Sequence, residues 1–334
     1  MRFSLLEFNI NGIYCPQADT YIDAWRPVDR VIISHGHADH SKYGHKKYLT
    51  HHFNVPIVKH RLGKVNIEGK SWGERFTING VHFSLHPAGH VIGSSQVKIE
   101  YKGEVWVYSG DYKRENDGIS TPFELVKCHT FITECTFGIP AFSWKNQNEV
   151  MEEINQFWNE CKLLNQTAIV FAYSLGKAQR LIANLNLDIG KIYTHAAVEN
   201  LNEVIRTYKN LPVTYKITRE TNKEELLGNL VIAPPSTHGS SWLKKMVPYV
   251  TSSASGWMTF RGARRRRAID RGFVLSDHVD WKDLVKTIRE TEAENIVCTH
   301  GYKEIFSKYL NEIGYNAFIE NTPFEENELL VEND

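Results

Sequence analysis

The chain has 334 residues, more than one hydrophobic core usually serves, so two domains or one domain carrying a large insert are expected. A hydrophobic content of 42% and a charged content of 23% are those of an ordinary globular protein, and no apolar window approaches membrane-span length. Lys plus Arg and Asp plus Glu are equal at 39 each, which excludes a whole-molecule field that would steer a polyanion; any such field must be local.

Five cysteines, Cys15, Cys128, Cys135, Cys161 and Cys298, are odd in number and widely spaced, with no Cys-x-x-Cys pair, which fits a reducing compartment. The first residues lack an apolar core of signal-peptide length. A cytoplasmic location with no membrane partner is therefore expected.

Residues 3–23 read as short strands and turns, with Asn11-Gly12 as a hairpin signal and Tyr21-Ile22 running into Asp23. A carboxylate at that strand end can orient a ligating histidine from behind, or it can be a plain turn aspartate. Asp19 is its rival but lies further from the strand end. Val31-Ile32-Ile33-Ser34 is a buried strand that delivers His35-Gly36-His37-Ala38-Asp39-His40 at its C-terminal end. Alternation points His35 and His37 to one side, and the turn brings Asp39 and His40 round to the same opening. Three imidazoles and a carboxylate within six residues make a cradle for two ions side by side. Zinc suits these donors first, with manganese or iron as competitors. A histidine-rich surface loop is the competing reading in a chain with 15 His.

Residues 41–64 carry Lys42, His45, Lys46, Lys47, His51, His52, Lys59, His60, Arg61 and Lys64, a stretch that suits phosphates or, nearly as well, a helix with a solvated basic face. Residues 75–85 alternate around Asn79-Gly80 and predict a hairpin that leads to His86-Pro87-Ala88-Gly89-His90. His90 is the better ligand candidate, because the proline keeps His86 extended. A second hairpin, 96–100 with 104–109 across Lys102-Gly103, ends in Gly110-Asp111, where a carboxylate could bridge two ions. The strand 130–133 then ends in Glu134.

From there the texture changes. A helix over 148–163, a buried strand over 168–172, a helix opened by Ser174-Leu175-Gly176-Lys177 and further strand–helix alternation to residue 252 predict a parallel α/β domain. Gly176-Lys177 lacks the rest of a Walker motif. The loops 236–242 and Ser252-Ser253-Ala254-Ser255-Gly256-Trp257 offer hydroxyls, backbone N–H groups and an aromatic each, chemistry that suits a phosphate with a stacked base, although serine-rich turns are common. Arg261-Gly262-Ala263-Arg264-Arg265-Arg266-Arg267-Ala268-Ile269-Asp270-Arg271 concentrates six arginines in eleven residues. In a neutral protein this implies a polyanion partner, with a solvated charged strand as the alternative. Two further strands run into His278 and His300, joined by a helix over 282–291 and followed by another over 303–313.

These motifs, His35-x-His37-x-Asp39-His40, Pro87-Ala88-Gly89-His90, Ser109-Gly110-Asp111, Glu134, Ser276-Asp277-His278 and Thr299-His300-Gly301, resemble in order those of metallo-β-lactamase fold nucleases with a β-CASP insert. The stretches 173–180 and 255–278 resemble the bacterial ligase-associated DNA exonucleases, relatives of the Artemis-type repair nucleases. The resemblance implies an α/β fold: an αββα sandwich over 1–135 and 273–334, with a parallel α/β β-CASP insert over 136–272. It implies two divalent ions, with His35, His37 and His90 on the first, Asp39, His40 and His300 on the second, and Asp111 bridging. His278, oriented by Glu134, would protonate the leaving oxygen, and Asp39 and Asp23 would complete the catalytic set. Nucleic acid would be met by Arg261, Arg264, Arg265, Arg266, Arg267 and Arg271, with Ser253, Ser255, Trp257 and Lys177. The family name suggests association with a DNA ligase or helicase.

One residue points elsewhere. At the place of His300 the Artemis-type enzymes usually lack histidine, whereas the RNA-processing members have it. DNA is the expected substrate, because the longer matching stretch covers more positions, and an RNA-processing nuclease is the alternative. A small-molecule hydrolase of the same fold has no use for the insert or the arginines, and a non-catalytic binding module would have lost ligands.

Overall fold

A computed structural model describes residues 4–266 and 268–323. The chain divides into two compact units. One consists of the chain up to Asn116, Ser120–Ser143 and the chain from His278; the other contains Asp117–Ile119 and Trp144–Asp277.

The first unit is built on two sheets. A six-stranded sheet runs Glu7–Asn9, Gly12–Cys15, Thr20–Ile22, Arg30–Ile32, Lys47–His51, Ile67–Lys70 in spatial order. A seven-stranded sheet runs Asn316–Ile319, Asn295–Thr299, Thr130–Glu134, Glu104–Tyr108, Ser95–Tyr101, Val81–Pro87, Phe76–Ile78. Side-chain alternation explains why the sheets stack. Ile22, Ile32 and Leu49 join Phe83, Val97, Ile99, Tyr108 and Ile132 in one core between the sheets. Their neighbours Val31, Ile33 and Tyr48 face outward and pack with Leu62 of the helix Val55–Leu62. On the seven-stranded sheet Val107, Phe131 and Ile296 face outward to Leu284 and Ile288 of the helix Trp281–Thr291 and to Phe306 and Leu310 of the helix Lys303–Glu312. Strands buried on both faces give the αββα layering expected from the sequence. Each fully buried aliphatic side chain contributes about 1.5–3 kcal/mol.

The turns follow their residues. Asn79 and Gly80 have φ of 47° and 81°, and Lys102 and Gly103 have 48° and 85°, so both hairpins close through two residues in the left-handed region, whose twist suits the flanking strands. Residues 41–64 differ from a single basic-faced helix. Lys47–His51 is a strand paired on both sides, and only Val55–Leu62 is helical. Burial of Tyr48, Leu49 and Thr50 in that pairing outweighs any local helical preference. His51 is buried, stacked 3.4 Å from Trp72, and His45 Nδ1 accepts from the Val28 N–H at 3.2 Å. Burial pushes the His45 pKa down to about 4. These two imidazoles are buried packing groups and not part of a solvated basic face.

The second unit holds a six-stranded sheet in which every pairing is parallel, in the order Tyr215–Lys216, Ile192–Thr194, Leu230–Ala233, Thr167–Phe171, Tyr249–Ala254, Arg271–Phe273. Its central strands Leu-Val-Ile-Ala and Thr-Ala-Ile-Val-Phe are buried throughout, as strands covered on both faces must be. The helices Gln147–Leu163, Lys177–Asn184 and Ala196–Arg206 belong to this unit. Among the described residues, no helix is long and apolar enough to cross a membrane.

Candidate metal centre

The strand Arg30–Ile32 lies between Thr20–Ile22 and Lys47–His51, and the histidine run follows its C-terminal end. Its histidines converge with groups from the other sheet. His35 Nε2 lies 3.1 Å from His37 Nδ1, which lies 3.1 Å from His90 Nε2. Asp111 Oδ2 stands 3.5 Å from His35 Nε2 and 3.8 Å from His90 Nε2. Donors held about 2.0–2.1 Å from a tetrahedral ion are about 3.3–3.4 Å from one another, so these four atoms have the spacing of a zinc-sized coordination shell. A second group adjoins the first: His40 Nε2 is 3.4 Å from both Asp39 Oδ2 and Asp111 Oδ2. The Asp111 oxygen is thus shared between the two groups. His35, His37, His90 and Asp111 form one set able to hold an ion, and His35, Asp39 and His40 another. The donor chemistry, neutral imidazole and carboxylate, fits divalent metal.

The electrostatics fit a site made for positive charge. Burial of His35, with His40 beside it, holds its pKa well below the usual imidazole range. Burial opposes protonation of His40 as well, but Asp111, Asp39 and Asp23 outweigh it and hold this imidazole well above its usual range. Burial works against ionisation of Asp111, yet His40 and the neighbouring imidazoles keep it well below the usual carboxylate range.

Two glycines let the ligand loops pass. Gly89 has φ +74°, and a Cβ there would lie 2.2 Å from the Lys113 carbonyl oxygen; Gly110 has φ +55°, and a Cβ would lie 2.9 Å from Ser34 Cβ. Only glycine tolerates that combination, and each precedes a ligand candidate, His90 or Asp111. Asp23 and His300 adopt positive φ without being glycine, at 43° and 57°. Strain of about 1–3 kcal/mol per residue is retained where a site over-determines the backbone.

Asp23 lies beneath the cradle. Its carboxylate accepts from Ser34 N at 2.7 Å, Ser34 Oγ at 2.5 Å and Tyr108 Oη at 3.0 Å, and it meets His40 Nδ1 at 2.7 Å. Asp19, the rival, instead accepts from the Tyr14 hydroxyl. Arg61, one of the basic residues of 41–64, donates to the Gly36 carbonyl at 2.5 Å and to Ser41 Oγ at 2.8 Å, bracing the loop between the histidines. His86 is held by Ser84 and Glu124, and the cradle takes His90. His300 stacks on His40 with ring centres 5.9 Å apart, and its Nδ1 is 3.2 Å from Thr299 Oγ1.

Beside the cradle, His278 Nδ1 is 2.7 Å from Glu134 Oε2, and Glu134 Oε1 accepts from Tyr112 N at 2.8 Å. Burial pushes the Glu134 pKa up, against the opposing effect of His278. The His278 ring is 4.6 Å from that of His90. Nδ1 is thus the nitrogen that anchors the His278 ring to Glu134.

The residues expected to meet nucleic acid belong to the second unit. Arg261–Arg266 is a short helix, with Arg261 and Arg265 exposed. Arg267 and the side chains of Arg264 and Arg266 lie outside the described residues. Arg271 is paired with Glu160 and lies 5.3 Å from the Phe157 ring. Ser253 is buried in its strand, and Ser255 Oγ accepts from the half-buried Trp257 at 3.3 Å. Lys177 is buried, 3.9 Å from Asp277 and 4.6 Å from the Tyr173 ring centre, so the structure does not place it with the exposed arginines. Two contributors escaped the sequence reading, Ser34 and Tyr108. Their only signal is position, immediately before the first histidine and two residues before Gly110.

A model of the "Metallo-beta-lactamase superfamily" matches residues 23–215. A probable DNA ligase of Opitutus terrae is 30% identical over 316 residues, which is 92% of this chain and 30% of that protein. The endoribonuclease YSH1 of Gibberella zeae is 31% identical over 130 residues, 37% of this chain and 15% of the relative. An RNase J-like protein of Methanocaldococcus jannaschii is 25% identical over 221 residues, 55% and 51% of the two chains. The chain therefore spans about half or less of the length of these relatives. A crystal structure of a protein of unknown function from Enterococcus faecalis V583 shares the fold, with a TM-score of 0.61 at 12% identity over 89% of this chain and 80% of that one. The matched model covers both the histidine cradle and the glycine-framed ligands, and the chain belongs to the metallo-beta-lactamase superfamily.

Proposed function

We propose that this protein is a two-metal phosphodiesterase that shortens DNA from an end, in end processing or repair. The observation that carries the reading is the pair of adjoining donor groups, His35–His37–His90–Asp111 and His35–Asp39–His40, with Asp111 Oδ2 3.4 Å from His40 Nε2 and the His278–Glu134 pair next to them. His35, His37, His90 and Asp111 would hold one divalent ion, and Asp39, His40 and Asp111 the other, with His300 stacked against His40. Zinc suits the donor set best, followed by manganese and iron. When bound, such ions make water nucleophilic near neutral pH and offset the charge of a phosphate. The chain's own residues supply the rest. Asp111 and Asp39 balance positive charge at the cradle, while Glu134 fixes the His278 ring so that Nε2 can give a proton to the departing oxygen. Arg261 and Arg265 are exposed on the second unit, an insert of the β-CASP kind, and are this chain's own phosphate-binding groups in this reading.

DNA is supported by a relative matched over 92% of this chain and named as a probable DNA ligase, and by the arginine run. The second reading, RNA processing, rests on His300 and on relatives named as ribonucleases. A direct test offers the purified protein, with zinc or manganese, matched single-stranded DNA and RNA carrying a 5′-phosphate and a label at one end or the other. Progressive shortening of DNA, absent from Asp39→Ala, is expected. Preferential cleavage of RNA would move the protein to the second reading, and no cleavage of either would defeat both.

A further inference from the structure

A buried carboxylate that takes four hydrogen bonds leaves a proton count to be settled. Asp23 is 3% exposed, and Ser34 and His35 are fully buried, so their hydrogen bonds are made inside the protein and not to bulk solvent. Asp23 Oδ1 receives the Ser34 N–H, and Oδ2 receives the Tyr108 and Ser34 hydroxyls and faces His40 Nδ1. A carboxylate only accepts, so the His40 nitrogen facing it carries hydrogen, and Nε2, 3.4 Å from Asp39 and Asp111, is the nitrogen turned to the cradle. Ser34 extends this logic. Its one hydroxyl proton is spent on Asp23 Oδ2, yet its Oγ lies 3.0 Å from His35 Nδ1. Toward His35 it can only accept, so His35 also carries its hydrogen on Nδ1 and presents Nε2, the atom 3.1 Å from His37 Nδ1 and 3.5 Å from Asp111.

We infer that Ser34 and Tyr108 are positioning residues through which the single carboxylate of Asp23 sets the ring orientation and tautomer of one histidine in each half of the metal cradle. Asp23 acts on His40 directly and on His35 through the Ser34 hydroxyl, so the two halves share one support. Tyr108 is the fourth donor and prevents Asp23 from rotating away. The inference rests on the metal reading of the site and is independent of which nucleic acid is cut.

Its test reads metal without substrate. Zinc is titrated away from the wild type, Ser34→Ala and Tyr108→Phe with a chromophoric chelator, and the thermal midpoint of each metal-free protein is recorded. Both substitutions keep the side chain's shape and delete one hydroxyl. Ser34→Ala is expected to bind zinc about 10–100-fold more weakly, and Tyr108→Phe to lose less, with metal-free midpoints close to the wild type. The Co(II) form of Ser34→Ala is expected to show altered d–d bands, because the first-half histidine is no longer held. A wild type that retains two ions beside a Ser34→Ala protein with the same affinity and the same bands overturns this proposal alone. So does a weaker affinity matched by an equal loss of metal-free stability, which makes the hydroxyl merely structural. A wild type that holds no divalent ion overturns the metal reading and this proposal with it.

Discussion

His37 and His278 lie close together around His90 but have different jobs, and substitution separates them. His37 Nδ1 is 3.1 Å from each of two other imidazole nitrogens, so His37→Ala removes a donor common to both contacts. The variant is expected to lose bound zinc and, with it, cleavage; a metal assay and an end-labelled substrate read both. His278 stands with Asp111 and Glu134 in a third donor group but outside the two sets proposed to hold ions, so if it acts as the proton donor, His278→Ala should keep its metal while kcat falls about 10²–10⁴-fold. Loss of metal in that variant would instead make His278 a ligand. Gly110→Ala is a third case. The new Cβ meets Ser34 at 2.9 Å on a backbone with φ +55°, so the variant should be less stable by at least about 1 kcal/mol and should bind zinc more weakly. Denaturant midpoints and chelator competition check the two effects separately.

At the scale of elements, the arginine-rich helix is where the charge argument becomes measurable. Arg261 and Arg265 are exposed, whereas Arg271 is already paired with Glu160, and Lys177 is buried against Asp277. Replacing Arg261 and Arg265 together with alanine should weaken single-strand binding and flatten the slope of log K against log salt by up to about 0.7 per residue. Arg271→Ala should change that slope little. Binding isotherms at several salt concentrations decide it; an unchanged slope in the double variant would make the helix a solvated surface. The paired strands behave differently, because their contribution lies in alternation. Ile132 faces the core between the sheets and Phe131 the helix layer, so a one-residue slip in Thr130–Glu134 would exchange the two and carry Glu134 away from Tyr112 and His278.

For the whole molecule, the donor groups of the cradle come from strand ends of both sheets, so in the proposed reading a bound metal would cross-link the first unit. Removing it leaves closely packed imidazoles and carboxylates with their charges uncompensated. Chelation should therefore lower the stability of that unit, by about 2.7 kcal/mol where free metal had been 100-fold above its dissociation constant. Hydrogen exchange should report the loss in the strands Arg30–Ile32, Ser95–Tyr101 and Thr130–Glu134, while the parallel sheet of the second unit keeps its protection. Equal deprotection of both units would contradict a metal site confined to the first.

Much of this was legible from residues alone, for physical reasons. A short continuous apolar run marks a strand whose two faces are both buried, Asn79-Gly80 and Lys102-Gly103 specify turns through local backbone preference, and four donors within His35–His40 lie too close in the chain to depend on the rest of the fold. Tertiary structure decided what depends on distant partners. Tyr108 reaches Asp23 across 85 residues of sequence and Arg271 meets Glu160 across 111, and neither contact has a local signature. The same holds for His45 and His51, basic residues in the sequence that become packing groups because the strand Lys47–His51, which ends in one and closely follows the other, is largely buried. Composition and spacing determine which chemistry the chain carries; which of its fifteen histidines take part is decided by burial and by the partner each ring nitrogen finds.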